Sequence, residues 1–269
     1  MADFGTQRKI TITNYHEEKL VGILHDASST SLVIVCHGFQ SNKERIPMVN
    51  LAAALEKEGI SAFRFDFAGN GESEGSFQYG NYYREVEDLR AVVQHFREEK
   101  YVITTIVGHS KGKIMYRVTE ESLMDRLNTI THLACLSIPE NCRTLTVHGS
   151  MDETVSAEDA LEFAKFISNH ELHIIEGADH EYSCHQDELT SLVLEFIKNM
   201  RIWYLILINH SYKLRQTDSS YFSTFSLLDL NNCTSDKNYC ITIATGYQSD
   251  LKFLLLLLKV LCSFIYCGF

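Results

Sequence analysis

The sequence predicts an α/β architecture, a mostly parallel sheet with helices on both faces. Three observations carry this. From the start to about Met200, strand-like runs alternate with apolar stripes of helical period. Leu32 to Cys36 (LVIVC) is continuously apolar, as expected of a strand covered on both faces. Val102 to Val107, apolar and β-branched, runs directly into Gly108-His109-Ser110-Lys111-Gly112. A strand there feeds a turn so tight that glycine is needed on both sides of its central serine.

The elements follow in order. Lys9 to Thr13 and Leu20 to Leu24 read as an opening antiparallel pair, and Leu32 to Cys36 as the first covered strand. Met48, Leu51, Ala52 and Leu55 fall at i, i+3, i+4 and i+7, one helix stripe, which Gly59 stops. Ser61 to Phe67 reads as the next strand, and Tyr82, Val86, Leu89, Val93 and Phe96 as a longer helix stripe. The strand that ends at the serine turn comes next, and Leu145 to His148 after it. Ala160, Phe163, Ala164 and Ile167 form a helix face, with Ser156 and Asp159 spaced as a capping box in which Asp replaces Glu. Leu172 to Ile175 is a further strand; Leu189, Leu192, Val193, Phe196 and Ile197 face one way on a last helix.

The chemistry sits where these strands end. G-x-S-x-G after a strand is the nucleophile elbow of a serine hydrolase, which lifts the Ser110 oxygen out of the sheet. A base is needed, and His180 in EGADH follows the strand Leu172 to Ile175. His185, in HQDEL, reads as a helix entry, and His109, inside the elbow, as a residue of shape or local hydrogen bonding. The base needs an acid to hold its tautomer. Asp152 in HGSMD follows Leu145 to His148, with Glu153 and Asp179 as alternatives. Asp179 adjoins the base in sequence and is poorly placed to face its far nitrogen. The order Ser110, Asp152, His180 is that of α/β-hydrolases, distinct from those of chymotrypsin and subtilisin. For the oxyanion, one backbone N–H is expected from Lys111 and the other from Phe39 in His37-Gly38-Phe39. Asp66 to Ser73 (DFAGNGES) lacks G-x-G-x-x-G and is acidic, so it reads as a turn and not a nucleotide site.

Composition narrows the class. A net charge of -11 argues against a nucleic-acid partner, since phosphate binding needs a basic face. The N-terminus has no apolar h-region, and the eight cysteines include no C-x-x-C pair, which together point to reduced thiols in the cytoplasm. Neither a metal nor a cofactor is implied; the expected partner is a small-molecule ester.

HGF, DFAGNGES, GHSKG, HGSMD and GADH together resemble the α/β-hydrolase superfamily. Within it they are most similar to the serine aminopeptidase-like hydrolases, which include cinnamoyl (feruloyl) esterases and monoacylglycerol lipase-like enzymes. The similarity runs from about residue 8 to residue 200. It implies a Ser110–Asp152–His180 triad, an oxyanion hole of Phe39 and Lys111, and cofactor-free cleavage of carboxylic esters, thioesters or amides.

The chain departs from that family in two respects. Asp152 follows Ser110 by only 42 positions, an interval in which the family places the helix after the elbow, another strand and usually a lid. The lid is therefore expected to be shortened or absent, and a strand to be lost, leaving a sheet edge exposed and catalysis weakened. In addition, residues 201–269 match no part of that family, lose the strand–helix alternation and end in an apolar stretch, Phe253 to Phe269, interrupted by Lys259. The expected organisation is a hydrolase domain at 1–200 and an appended tail at 201–269, poorly ordered or peripheral, as in a splice or gene-model variant of a longer enzyme. Membrane contact through the apolar end is the less favoured reading of that tail. Three functional classes follow: a serine esterase working through an acyl-enzyme, a catalytically silent hydrolase-fold ligand binder, and a tail-anchored interaction protein.

Overall fold

The computed structural model describes residues 6–78, 82–110, 135–136, 138, 140, 142–199 and 239–243. The strands are β1 (Thr6–Thr13), β2 (Lys19–Asp26), β3 (Ser31–Cys36), β4 (Ser61–Phe65), β5 (Val102–His109), β6 (Thr144–Gly149), β7 (His170–Ile175) and β8 (Tyr239–Ile243). The helices are α1 (Ile46–Lys57), α2 (Tyr82–Glu98), α3 (Ala157–Ala164) and α4 (residues 186–199).

All eight strands join one sheet in the order β1-β2-β4-β3-β5-β8-β6-β7. β1 pairs antiparallel with β2, and β2 antiparallel with β4; every later pairing is parallel. Alternate side chains of the central strands serve two cores. Leu32, Ile34, Phe63, Phe65 and Ile106 pack with the α2 stripe of Val86, Leu89, Val92 and Phe96, and with Phe163 of α3. Val33, Val35, Ala62, Val107, Leu145 and Val147 pack with Met48, Leu51 and Leu55 of α1 and with Leu189, Val193 and Phe196 of α4. Each large side chain removed from water in this way contributes about 1.5–3 kcal/mol. Helices on both faces leave no solvated side for the inner strands, which is why β3, β4 and β6 read as nearly unbroken buried runs.

Local signals account for the helix ends. α1 opens with proline in its first turn, where the missing N–H costs nothing. It closes on Gly59 at φ +72°, a left-handed backbone that glycine accepts without strain. α3 starts after Ser156, but the Ser156 hydroxyl makes no capping bond; the Asp159 N–H is taken instead by the Ser156 carbonyl at 3.0 Å. The expected capping box is thus absent. β4 also stops at Phe65, two residues before its predicted end. The Phe67 N–H is drawn to the His37 ring nitrogen Nε2 at 3.1 Å and not to a neighbouring strand.

The largest departure from expectation concerns the tail. Tyr239–Ile243 lies inside the sheet between β5 and β6, paired parallel to both, so these five residues are not peripheral. The inner edge that the short interval was expected to expose is occupied by this strand. The apolar segment Phe253 to Phe269 and the interval 111–134 lie outside the described residues. Among the described residues, no helix is long and apolar enough to cross a membrane.

Candidate active site

Parallel strands end on the same side of a sheet, and three of these ends carry the expected chemistry. Ser110 follows the last residue of β5, Asp152 lies three residues past β6, and His180 five residues past β7. The Asp152 carboxylate meets the His180 Nδ1 at 2.9 and 3.1 Å. The acid is fully enclosed and the imidazole nearly so, with 0% and 16% side-chain exposure. Burial by itself would raise the Asp152 carboxyl pKa. The hydrogen bond and charge of His180 outweigh it, aided by the Val155 and Thr154 N–H groups at 2.9 and 2.8 Å, and hold the group below its ordinary value. Asp152 therefore stays ionised. The Nδ1–H of His180 donates to it, and Nε2 is left as the basic nitrogen.

The elbow and the base meet through His109. Its Nε2 lies 3.2 Å from the His180 carbonyl oxygen, and the two rings sit 5.7 Å apart. Burial pushes the His109 pKa down, so this buried ring is neutral and donates to the His180 carbonyl. Tyr182, with no exposure, fixes the same loop from below by donating its hydroxyl to the Val147 carbonyl of β6 at 2.7 Å. Gly149 lets that loop approach: a Cβ there would stand 2.3 Å from the Ala178 carbonyl oxygen.

The other candidates fall elsewhere. His185 sits at the entry of α4, its N–H donating to the Tyr182 carbonyl and its own carbonyl accepting from Leu189. Its Nδ1 is buried without a hydrogen-bond partner, and it makes no contact with Asp152. Asp179 accepts the Ser183 N–H at 2.7 Å, a local turn bond. Glu153 is exposed. Phe39 does reach the elbow, but its N–H donates to the Ser110 carbonyl oxygen at 3.0 Å. As an oxyanion donor it has to leave or share that bond, so the hole is not preformed at Phe39. Lys111, the other expected donor, lies outside the described residues. Among the described residues no group of three His, Cys, Asp or Glu side chains could hold a metal ion.

Comparison with known proteins supports the fold. The family model for serine aminopeptidase S33 matches residues 27–121, a span that includes the HGF loop and the elbow. Est1E of Butyrivibrio proteoclasticus, solved with ferulic acid bound, superposes with a TM-score of 0.60 at 18% identity, over 71% of this chain and 98% of that one. A lidless α/β serine hydrolase of Xanthomonas campestris gives 0.55 at 19% identity, over 72% and 94%. Esterase Pf2001 of Pyrococcus furiosus gives 0.55 at 21%, over 72% and 93%. A Saccharomyces cerevisiae protein, YDL057W, is 21% identical over 255 residues, covering 68% of this chain and 76% of its own length.

The chain has the α/β-hydrolase fold. Its fold also relies on buried polar groups whose pairing no sequence motif marks. Lys43, in the loop after β3, is 2% exposed and places its ammonium 2.6 Å from both Asp66 and Glu72. Burial would depress the lysine pKa, but the two carboxylates outweigh it and raise it. Asp66 further accepts the Lys43 N–H at 2.6 Å and the Glu72 N–H at 2.9 Å. His37 donates Nδ1–H to the Gly38 carbonyl at 2.7 Å, which fixes the tautomer that lets its Nε2 accept from Phe67. Asp88 of α2 accepts from Asn14 at 2.7 Å and from the Ala68 N–H at 2.9 Å. The loops after β3 and β4 are thereby locked to each other beside the elbow. The HG and D-x-x-G pairs were visible in sequence; that a lysine would be buried between them was not, because its partners are 23 and 29 residues away.

Proposed function

We propose that this hydrolase-fold chain is a serine hydrolase that cleaves carboxylic esters through an acyl-enzyme. The observation that carries the reading is the ionised Asp152 against Nδ1 of a histidine whose loop is bonded to the elbow strand. Such a pair has one use at a serine elbow. It holds the proton of the neutral His180 ring on Nδ1, so that Nε2 faces the serine, and it stabilises the imidazolium that forms when the Ser110 proton arrives. Ser110 attacks the ester carbonyl, the oxyanion is met by backbone N–H groups of Phe39 and Lys111, and His180 returns the proton to the departing alcohol. Water then repeats the sequence to release the acid. The neighbours named esterases, one of them holding ferulic acid, support a small carboxylic ester as substrate class.

A second reading, a ligand-binding protein without turnover, is favoured by one observation: the Phe39 N–H is already used by the Ser110 carbonyl. A fluorophosphonate probe separates the two, because it reports a competent nucleophile whatever the substrate. The full chain is expected to label at Ser110 and to hydrolyse short p-nitrophenyl esters, and Ser110→Ala to do neither. Labelling that survives in Ser110→Ala refutes the nucleophile, and a wild-type chain that never labels favours the binding protein.

A further inference from the structure

The triad is assembled across a strand that comes from elsewhere in the chain. β5 ends at the nucleophile, and β6 and β7 end at the acid and the base, yet β5 and β6 do not touch. Between them stands β8, paired Thr105↔Tyr239 through His109↔Ile243 on one side and Thr144↔Cys240 through Thr146↔Thr242 on the other. Its last residue is level with His109, the residue before Ser110. Neighbouring strands lie about 4.8 Å apart, so β8 holds the nucleophile strand and the acid strand roughly 10 Å from each other. Among the described residues of the interval 110–143, none supplies a strand to this sheet.

From this we infer that Tyr239–Ile243 is the catalytic spacer of the molecule. It is a positioning strand, drawn from the C-terminal segment, that sets the separation of Ser110 from the Asp152–His180 pair. The inference rests on the serine-hydrolase reading above. If β8 left its place, β5 and β6 would close by one strand spacing or stand apart with unpaired edges. Either displaces Ser110 from His180 by several ångströms, whereas about 1 Å is enough to cost a hundredfold in rate.

The seat itself shows that β8 is held by its backbone ladder. The Thr105 and Thr144 hydroxyls of the flanking strands, each facing the first positions of β8 in the register, are buried with no hydrogen-bond partner. The hold of β8 is its parallel pairing, five residues against β5 and three against β6. Such a hold is sensitive to the loss of one backbone donor, and a separate peptide of the same sequence can take it over.

The experiment uses the full chain. In hydrogen exchange the amides of residues 240–243 are expected to be protected at least a hundredfold over an unstructured peptide. Exchange at the unstructured rate overturns the spacer. Ile241→Pro removes a ladder donor from a central strand, where proline is not tolerated. It is expected to lower the fluorophosphonate labelling rate and kcat by a hundredfold or more with KM little changed, while Ile241→Val stays near wild type. A synthetic peptide of residues 237–245 added to Ile241→Pro is expected to restore labelling. Ile241→Pro that labels at the wild-type rate overturns the spacer alone. A wild-type chain that never labels overturns the hydrolase reading, while the protection of residues 240–243 still reports whether the strand is inserted.

Discussion

A Cβ on Gly38 would stand 2.1 Å from the Ser110 carbonyl oxygen and 3.0 Å from that of His109, all of them backbone atoms with no side chain to swing aside. Gly38 therefore sets how near the HGF loop comes to the elbow, and with it where the Phe39 N–H points. Gly38→Ala is expected to push the two loops apart, costing about 1–3 kcal/mol in urea unfolding and slowing fluorophosphonate acylation more than it weakens ester binding. An unchanged acylation rate would show that the HGF loop does not contribute to the oxyanion. Asp152→Asn probes the acid separately. The amide can still face Nδ1 but leaves His180 in the wrong tautomer, so kcat is expected to fall by a factor on the order of 10⁴. His180→Ala should be as severe and His185→Ala near neutral in kcat; the reverse order would assign the base to His185. Ser110, Asp152 and His180 were legible as candidates because each follows an apolar strand closely, and strand-end placement is a local property. The Phe39 N–H was read as a free donor, and its bond to the Ser110 carbonyl was invisible because it depends on how two separate loops settle against each other.

Two loops that never pair as strands are joined through the buried Lys43. The loop after β3 carries Phe39 and Lys43; the loop after β4 carries Asp66, Glu72 and Phe77, whose ring meets that of Phe39 edge to face at 5.4 Å. Lys43→Met keeps the length and apolar stem of the lysine but leaves Asp66, fully buried, without its cation. Breaking a buried pair from one side is expected to cost about 3–5 kcal/mol. Lys43→Met combined with Asp66→Asn should cost less than the sum of the two singles, and strict additivity in a double-mutant cycle by urea unfolding would show that they are not coupled. At this scale the sequence was most legible where one element carries its own period. The α1 and α2 stripes, the LVIVC strand and the opening antiparallel pair stand where their spacing put them. It was least legible where a partner lies far away. Tyr-Cys-Ile-Thr-Ile is too short to show a period, and its pairing partners are about a hundred residues or more distant. The same reason hides Asp88, which no residue of α2 explains until Asn14 and Ala68 are brought to it.

For the whole molecule, acidity and burial meet at Asp88. Its carboxylate is wholly buried, and that burial pushes its pKa up to about 6; the Ala68 and Asn14 hydrogen bonds oppose the rise and nearby Glu85 adds to it. A carboxyl whose folded pKa lies above its unfolded value binds its proton more readily when folded. Its ionisation then weighs against the fold: the penalty is absent below the unfolded pKa near 4, grows as pH rises through 4 to 6, and is complete above 6. Asp152 runs the other way. Its folded pKa is lowered, so the stability it gives is present above the unfolded pKa and is lost as pH falls through the folded one. Between pH 4.5 and 7 Asp152 is ionised in the folded chain and nearly so in the unfolded one, whereas His25, His109 and His170, whose pKa values burial lowers, cost stability as pH falls, so the Asp88 share is read against a chain that lacks it. Integrating over the two pKa values, Asp88 makes the chain about 2 kcal/mol more stable at pH 4.5 than at pH 7. Asp88→Asn removes the titration while keeping the shape and one acceptor. The comparison is therefore the difference in unfolding free energy between the two pH values for each chain, which cancels what the amide costs at both. Acidification from pH 7 to 4.5 should favour wild type over Asp88→Asn by about 2 kcal/mol, and equal changes in the two chains would mean that Asp88 titrates in the ordinary carboxylate range. Because Asp88 is bonded to Ala68, in the loop that His37 and Lys43 tie to the elbow, the ratio of the wild-type to the Asp88→Asn probe-labelling rate should change over the same window, and a constant ratio would show that Asp88 does not reach the elbow.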